Sequence, residues 1–507
     1  MAPNSSKPPS PYTCTRFPST FASIPTPTIT TPRRPATRRF SSSEIIPDEM
    51  GAAASQDPPL PNDNDFVSPR ARRIPNLLPI YLTDARAVEK YHPTKCPDGV
   101  ISLSVAENPM VEDLLTAAVA SDGKGTTIDA INPSFRDFQI YYQPTHGSAP
   151  LLDAMSQFLT NKLLNLSNSL DKDGMVVGAG CNAVLENLAF VLASPGDSVM
   201  IPVPYYAAFE FDLVARAGLT IAPVTMNSTL SSVGRYYPTR DALDQSYETS
   251  LKRGNTPKIL LLSHPHNPLG ICYPPHVVKE CIDWARERKV HLISDEIYAG
   301  SVHSPCSTGP FVSALELASG HVPSSSGLGL GDYVHFVYAL SKDFALSGLR
   351  VGVSYSENKH IRLPMQKLND FCQVSSQTQM LVSEMLTDEE YLDSFLTEAR
   401  QRVKHRCEVL IGLLEECSVP YLTPSAGLFL WIDFSEFLED GGTMEARERA
   451  LYLDMLHEFG LLFTPGMSMR NELPGYFRCV FTSATEEEFG VALERIRIFV
   501  NAKRRQK

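Results

Sequence analysis

Between residues 175 and 340 the chain alternates short apolar runs with stretches of helical period. The runs fall at 175–177, 199–203, 258–263, 290–294 and 336–340, and helical patterns occupy 183–193 and 275–288 between them. Strands this short and this apolar need cover on both faces, which is the situation of a mostly parallel sheet wrapped by helices. The pattern therefore predicts an α/β domain. Upstream, Ser148 and Pro150 precede Leu151, Leu152, Met155, Phe158, Leu159 and Leu163 at helical spacing, the mark of a capped amphipathic helix. Beyond residue 375 the pattern changes to a long helix over 389–416, short strands at 427–433 and 477–481, and a closing helix from Glu486. This predicts a second, smaller α+β domain. No internal repeat is present.

The first 75 residues do not share this character. They hold 15 of the 40 prolines, and residues 1–43 contain no Asp or Glu, six Lys/Arg and sixteen Ser/Thr. Such a segment buries too little apolar surface to offset its ordering entropy, so residues 1–75 are expected to be a disordered tail and linker. An Arg- and Ser-rich, acid-free tail also suits a mitochondrial address, with Arg38, Arg39 and Phe40 ahead of three serines as a processing site. Its prolines oppose the amphipathic helix that such an address needs. The expected location is the cytoplasm, with mitochondrial import as the alternative. The remainder, about 430 residues, is enough for two domains. With residues 1–43 removed, the chain carries 39 Lys/Arg against 57 Asp/Glu, a net charge of −18. An acidic body is a poor polyanion binder, which argues against nucleic acid. No run reaches 18 uncharged apolar residues, so no membrane span is expected. The ten cysteines show no CxxC pair and read as reduced thiols with structural roles.

Four segments close predicted strands with polar residues: Ser263 to Gly270, Ser294 to Tyr298, Tyr338 to Asp343 with its continuation Ser347 to Arg350, and Tyr476 to Arg478. Ligands of open α/β sheets sit at the carboxyl ends of strands. Taken singly, each segment has a plain reading, a solvated lysine or a helix cap.

In this order and spacing the segments resemble fold-type-I pyridoxal-phosphate (PLP) enzymes of the class I aminotransferase group, from about Leu103 to Val500. Within it they are most similar to 1-aminocyclopropane-1-carboxylate (ACC) synthase-like proteins. The residues that carry this are Val105 to Asn108, Pro204 to Tyr206, His264 to Gly270, Ser294 to Tyr298, Leu340 to Asp343, and Phe477 with Arg478. The resemblance implies a large domain with a mostly parallel seven-stranded sheet covered by helices, and a smaller α+β domain. It divides the chain into an N-terminal segment joining the small domain (76–125), a large PLP-binding domain (126–370) and a C-terminal small domain (371–507). It implies PLP as cofactor, a homodimer, and the following roles. Lys342 forms the Schiff base and moves the substrate Cα proton. Asp295 pairs with the pyridine N–H, and Tyr298 and Asn267 support the ring oxygen. Tyr206 stacks on the ring, with Tyr205 as packing. Arg350, Ser341 and the backbone N–H groups of Cys181 and Asn182 hold the phosphate. Arg478 clamps the substrate carboxylate.

Other residues keep two readings. Glu107 is either a surface charge or, as in ACC synthases, a substrate-facing carboxylate. His264 and His266 form an HxH pair without a third ligand in register, and no metal is expected. Asp343 reads as a helix-start residue. Two positions depart from the family. Thr145 stands where relatives carry a Tyr that reaches the partner's site, and Ala339 stands where they carry a phosphate-binding Ser. The first departure counts against ACC formation from S-adenosylmethionine.

The expected activity acts on an α-amino acid through an external aldimine and a quinonoid. The favoured outcome is amino transfer to a 2-oxo acid. The alternative is a lyase, ACC synthase-like or cleaving a carbon–sulfur bond. The reading from another class is an inactive PLP-fold binding or regulatory protein.

Overall fold

The computed structural model describes residues 79–506 except 112, 115–141, 227–232, 307–308 and 325. The tail expectation and part of the 76–125 segment lie outside the described residues.

Thirteen strands are described, among them β1 (Ile101–Ser102), β2 (Met175–Gly178), β3 (Ser198–Pro202), β4 (Thr220–Val224), β5 (Pro257–Ser263), β6 (His291–Asp295), β7 (Val334–Ala339) and β8 (Gly352–Tyr355). The last seven of these form one sheet in the order β2-β8-β7-β6-β5-β3-β4. Strands β3 to β7 pair in parallel, while β8 runs antiparallel to both β2 and β7. The sheet is thus mostly parallel, as the strand pattern predicted, and seven-stranded, as the family resemblance implied. Alternate residues feed separate cores. Val199, Ile201, Ile259, Leu261, Ile293 and Val337 pack on one side. Met200, Leu260, Leu262, Leu292, Phe336 and Tyr338 pack on the other. Both faces are apolar because both are covered.

The helices show why they begin and end where they do. Helix α1 (Ala149–Gln157) has Pro150 in its first turn, but the Ser148 hydroxyl makes no cap bond. Instead the Ser148 N–H donates to Gln379 Oε1 at 2.7 Å. The expected single helix through Leu163 is also corrected: the chain widens into a π turn over Phe158–Leu163. Helix α2 (Cys181–Leu192) starts from Gly180, whose φ of 87° is a left-handed value that suits glycine. Helix α3 (Pro275–Arg288) has proline at its start and Arg286 and Arg288 in its last turn, where cations oppose the dipole. Helix α4 (Glu389–Glu416) is capped by the Asp388 side chain, which accepts from Tyr391 N–H at 2.9 Å.

A four-stranded sheet in the order β12-β13-β10-β9 follows, built from β9 (Tyr421–Leu422), β10 (Phe429–Asp433), β12 (Thr464–Pro465) and β13 (Tyr476–Val480). Strand β11 (Leu461–Leu462) pairs in parallel with β1, which ties the early chain to this part of the molecule. Helices α5 (Met444–His457) and α6 (Glu486–Gln506) complete it. Thr485 and Glu488 cap α6 reciprocally, each side chain accepting from the other's N–H. Among the described residues no helix is long and apolar enough to cross a membrane.

Candidate active site

The carboxyl ends of the parallel strands open into a cavity of about 250 Å³. Strand β5 leads into the loop carrying Asn267, β6 ends on Asp295, and β7 ends on Ala339, one residue before the turn Leu340–Asp343. Lys342 lies in that turn. The cavity is lined by Cys181, Asn182, Tyr206, Asn267, Asp295, Tyr298, Ser341, Lys342, Arg350 and Arg478. The structure therefore brings ten of the eleven residues selected from the sequence to one cavity. Glu107 does not line the cavity. Its carboxylate accepts from Ser347 Oγ at 3.3 Å at the rim.

Lys342 Nζ donates to the Ala106 carbonyl at 2.7 Å. Burial first and the Arg478 charge second lower its pKa to about 8, while Glu107 opposes. A neutral amine is thus accessible near physiological pH, which a carbonyl-capturing lysine requires. Asp295 is buried and receives Ile297 N–H at 3.2 Å and the Cys181 thiol at 3.8 Å. Burial raises its carboxyl to about 7, only partly offset by the Ile297 N–H, and Asp212 adds to the rise. A buried carboxylate in this state calls for a cationic N–H donor.

Arg478 sits on β13 and is 2% exposed. Its Nη1 donates to Asn267 Oδ1 at 2.8 Å, and its Nη2 donates to the Ser104 carbonyl at 2.7 Å and to Thr464 Oγ1 at 3.3 Å. Its Nε is buried with no partner among the described residues. Phe429 lies under the guanidinium at 5.4 Å. Arg350 donates to the Ser347 and Ala179 carbonyls at 2.9 and 3.4 Å. Its guanidinium presses on Gly180, where an added Cβ would meet Nη2 at 2.3 Å. A cation is thereby set beside the first N–H groups of α2, which no intrahelical carbonyl takes up.

Tyr298 is buried and Tyr206 half-buried, and burial raises both phenol pKa values and keeps them neutral. Tyr205 points elsewhere, donating to Glu210 Oε1 at 2.9 Å. His264 uses both ring nitrogens on backbone, at Val312 O and Tyr273 N–H. Burial lowers it to about 4 and His266 to about 3. Among the described residues no group of three metal-ligating side chains forms. Thr145 donates to the Gln366 carbonyl at 3.5 Å. Asp343, read from sequence as a helix-start residue, does lie in the first turn of Leu340–Asp343, and it is also a buried acceptor for three donors.

One charged lining residue was not selected from the sequence. Asp212 is buried and accepts from Asn182 Nδ2 at 2.7 Å. Burial raises its carboxyl to about 6, against the Asn182 bond. The available signal was its place on the short helix Phe209–Val214, where Phe209, Asp212 and Leu213 share the buried face. A charge at a core-facing position is an informative exception.

The residues fit a phosphorylated, protonatable aromatic carbonyl compound such as PLP. Among the described residues no cation forms a salt bridge with Asp295, Arg350 and the start of α2 could hold an anion, and Lys342 lines the same cavity. Comparison with known proteins agrees. The family model "Aminotransferase class I and II" matches residues 101–496. ACC synthase 11 of Arabidopsis thaliana is 34% identical over 412 residues, covering 81% of this chain and 86% of that protein. ACC synthase 5 of Oryza sativa subsp. japonica is 35% identical, covering 82% and 75%. In fold, the aspartate aminotransferase of Thermotoga maritima superposes with a TM-score of 0.63 at 21% identity, covering 86% of this chain and all of that one. The aromatic aminotransferase of Pyrococcus horikoshii OT3 gives 0.63 at 20% identity, covering 80% and 96%. Family model, relatives and fold converge with the site: the chain belongs to the class I and II aminotransferases, PLP-dependent enzymes of fold type I.

Proposed function

We propose that this enzyme binds PLP through Lys342 and transfers the amino group of an α-amino acid to a 2-oxo acid. The observation that carries this reading is the convergence of Lys342, Asp295 and Arg478 on one cavity. PLP, when bound, supplies the electron sink that makes the substrate Cα–H acidic. The protein's part is positional and electrostatic. Asp295 would hold a protonated ring nitrogen. Arg350 and the start of α2 would hold the phosphate. Arg478, which lines the cavity, would hold the α-carboxylate. Lys342, with its lowered pKa, would take the Cα proton and return it.

A lyase reading is favoured by a separate observation, the identity to ACC synthases. Thr145, in place of the family tyrosine, speaks against ACC formation itself. The two readings separate in one experiment. The PLP-loaded protein is mixed with a panel of amino acids without an oxo acid. A single turnover that resumes only on adding 2-oxoglutarate supports transfer. Continuous release of ammonia or thiol supports elimination and overturns transfer. We place the enzyme in the cytoplasm as a homodimer, and an active monomer in sedimentation would overturn the dimer.

A further inference from the structure

Strands β6 and β7 are neighbours, and their ladder runs from Leu292 opposite Val334 to Asp295 opposite Val337. One more backbone bond, Glu296 N–H to the Val337 carbonyl at 2.9 Å, closes it. Beyond that point the two chains diverge into separate turns. The turn after β6 carries Tyr298 and then the 3-10 segment Ala299–Ser301. The turn after β7 carries Lys342. Backbone pairing no longer fixes their separation, yet both side chains line the same cavity.

A single carboxylate bridges this gap. Asp343 Oδ2 accepts from Gly300 N–H at 2.7 Å and from the Tyr338 hydroxyl at 3.1 Å, and its Oδ1 accepts from the Ser301 hydroxyl. The side chain is 4% exposed, so water does not replace these bonds. The contact is close: a Cβ on Gly300 would fall 2.6 Å from Oδ2. Helix α4 braces the same turn, since Arg400 Nε donates to the Gly300 carbonyl at 2.8 Å. Asp343 does not line the cavity, so any effect on chemistry acts through its neighbours.

We propose that Asp343 is a positioning residue, whose buried carboxylate ties the Lys342 turn to the Tyr298 turn and sets the spacing of amine and phenol on which the cofactor is held. The inference rests on the PLP reading above. The groups facing the carboxylate are the Tyr338 phenol, the Ser301 hydroxyl, the Gly300 N–H and, one shell out, the Arg400 guanidinium and the Tyr298 phenol. Burial keeps the Tyr298 phenol protonated, and the negative charge of Asp343 adds a smaller push in the same direction.

The test compares the full-length, PLP-loaded wild type with Asp343→Asn, Asp343→Ala and Ser301→Ala. The readouts are the pH midpoint of the visible band of Lys342-bound cofactor and the cofactor retained after dialysis. In folded Asp343→Ala the midpoint falls by about half a unit or more, and cofactor dissociates about tenfold more readily. Asp343→Asn, which keeps the shape but not the charge, moves the midpoint in the same direction, and Ser301→Ala moves it less. A purely structural role lowers thermal stability and leaves the midpoint in place, and that result overturns the proposal. If both Asp343 variants fail to fold, an unchanged midpoint in Ser301→Ala overturns it. A wild type that shows no Lys342-dependent band refutes the PLP reading itself, a result separate from any of these.

Discussion

The amide oxygen of Asn267 accepts a hydrogen bond from Arg478 Nη1 at 2.8 Å, across two parts of the chain 211 positions apart. This bond orients both partners. With Oδ1 committed to the arginine, the Asn267 amide presents Nδ2 to the cavity as a donor. Arg478, held also by the Ser104 carbonyl, keeps its planar fork in one pose. Asn267→Ala is therefore expected to weaken amino-acid binding as well as cofactor support. The expected cost is about 1–1.5 kcal/mol, close to tenfold in the dissociation constant. A spectral titration of the PLP-loaded variant with amino acid measures it. Equal affinity in variant and wild type would refute the coupling.

The Lys342 amine offers a prediction with two opposed arms. Its pKa falls to about 8 because of burial first and the Arg478 charge second, with Glu107 pulling the other way. Cofactor capture needs the neutral amine, so the capture rate should rise with pH around 8 rather than near the ordinary lysine value of 10.5. Removing the neighbouring cation in Arg478→Gln moves the midpoint up. Removing the carboxylate in Glu107→Gln moves it down. Stopped-flow absorbance of the apo-protein mixed with PLP reads both shifts. Shifts in the same direction would show that the amine is governed by something other than these two charges.

What the sequence disclosed and what it hid have physical causes. Strands β5, β6 and β7 and helices α3, α4 and α6 announced themselves, since apolar runs and capped helical periods are local signals. Strand β4 was missed because Pro223 interrupts it, and proline is tolerated there only because β4 is an edge strand. Strand β8, only Gly352–Tyr355, is too short and mixed in character to stand out. The cofactor-side residues were legible because they end local strands. Asp212 was not, because its meaning depends on Asn182, which lies thirty residues upstream. Asp343 was read only as a helix-start residue because two of its three donors, Gly300 and Ser301, come from chain far upstream, and the third, Tyr338, is a strand residue whose hydroxyl gives no local signal.

Asp295 makes the cofactor-free protein sensitive to pH in an unusual direction. Its carboxyl titrates near 3.8 when unfolded and near 7 when folded, chiefly through burial. Between those values the folded state holds the extra proton, so its contribution to stability is present at low pH and is lost as pH rises through about 7. Asp295→Asn removes the charge and keeps the acceptor for Ile297 N–H. At pH 8 the apo variant should exceed the apo wild type in stability by about 1–4 kcal/mol, and near pH 4 the two should converge. Its cofactor affinity should fall over the same range. Denaturant unfolding of both apo-proteins at pH 5 and pH 8 checks the sign. A variant less stable than wild type at pH 8 would contradict the account of Asp295 as an uncompensated buried charge.

Gly180 joins the large sheet to the anion cradle, and two demands meet there. Its φ of 87° disfavours any residue with a Cβ, and its Cα faces the Arg350 guanidinium so closely that a methyl group would meet Nη2 at 2.3 Å. The arginine is free to yield only by giving up its bonds to the Ser347 and Ala179 carbonyls. Gly180→Ala should thus act twice. Backbone strain alone should cost about 1–3 kcal/mol of folding stability. The displaced guanidinium should also weaken PLP binding by more than that strain explains. Gly196 supplies the control, since it has a similar φ of 93° and nothing within 4 Å of an added Cβ. Gly196→Ala should lose comparable stability and keep wild-type cofactor affinity. Equal PLP affinity in the two variants, measured by equilibrium dialysis, would show that Arg350 does not depend on the bare backbone of Gly180.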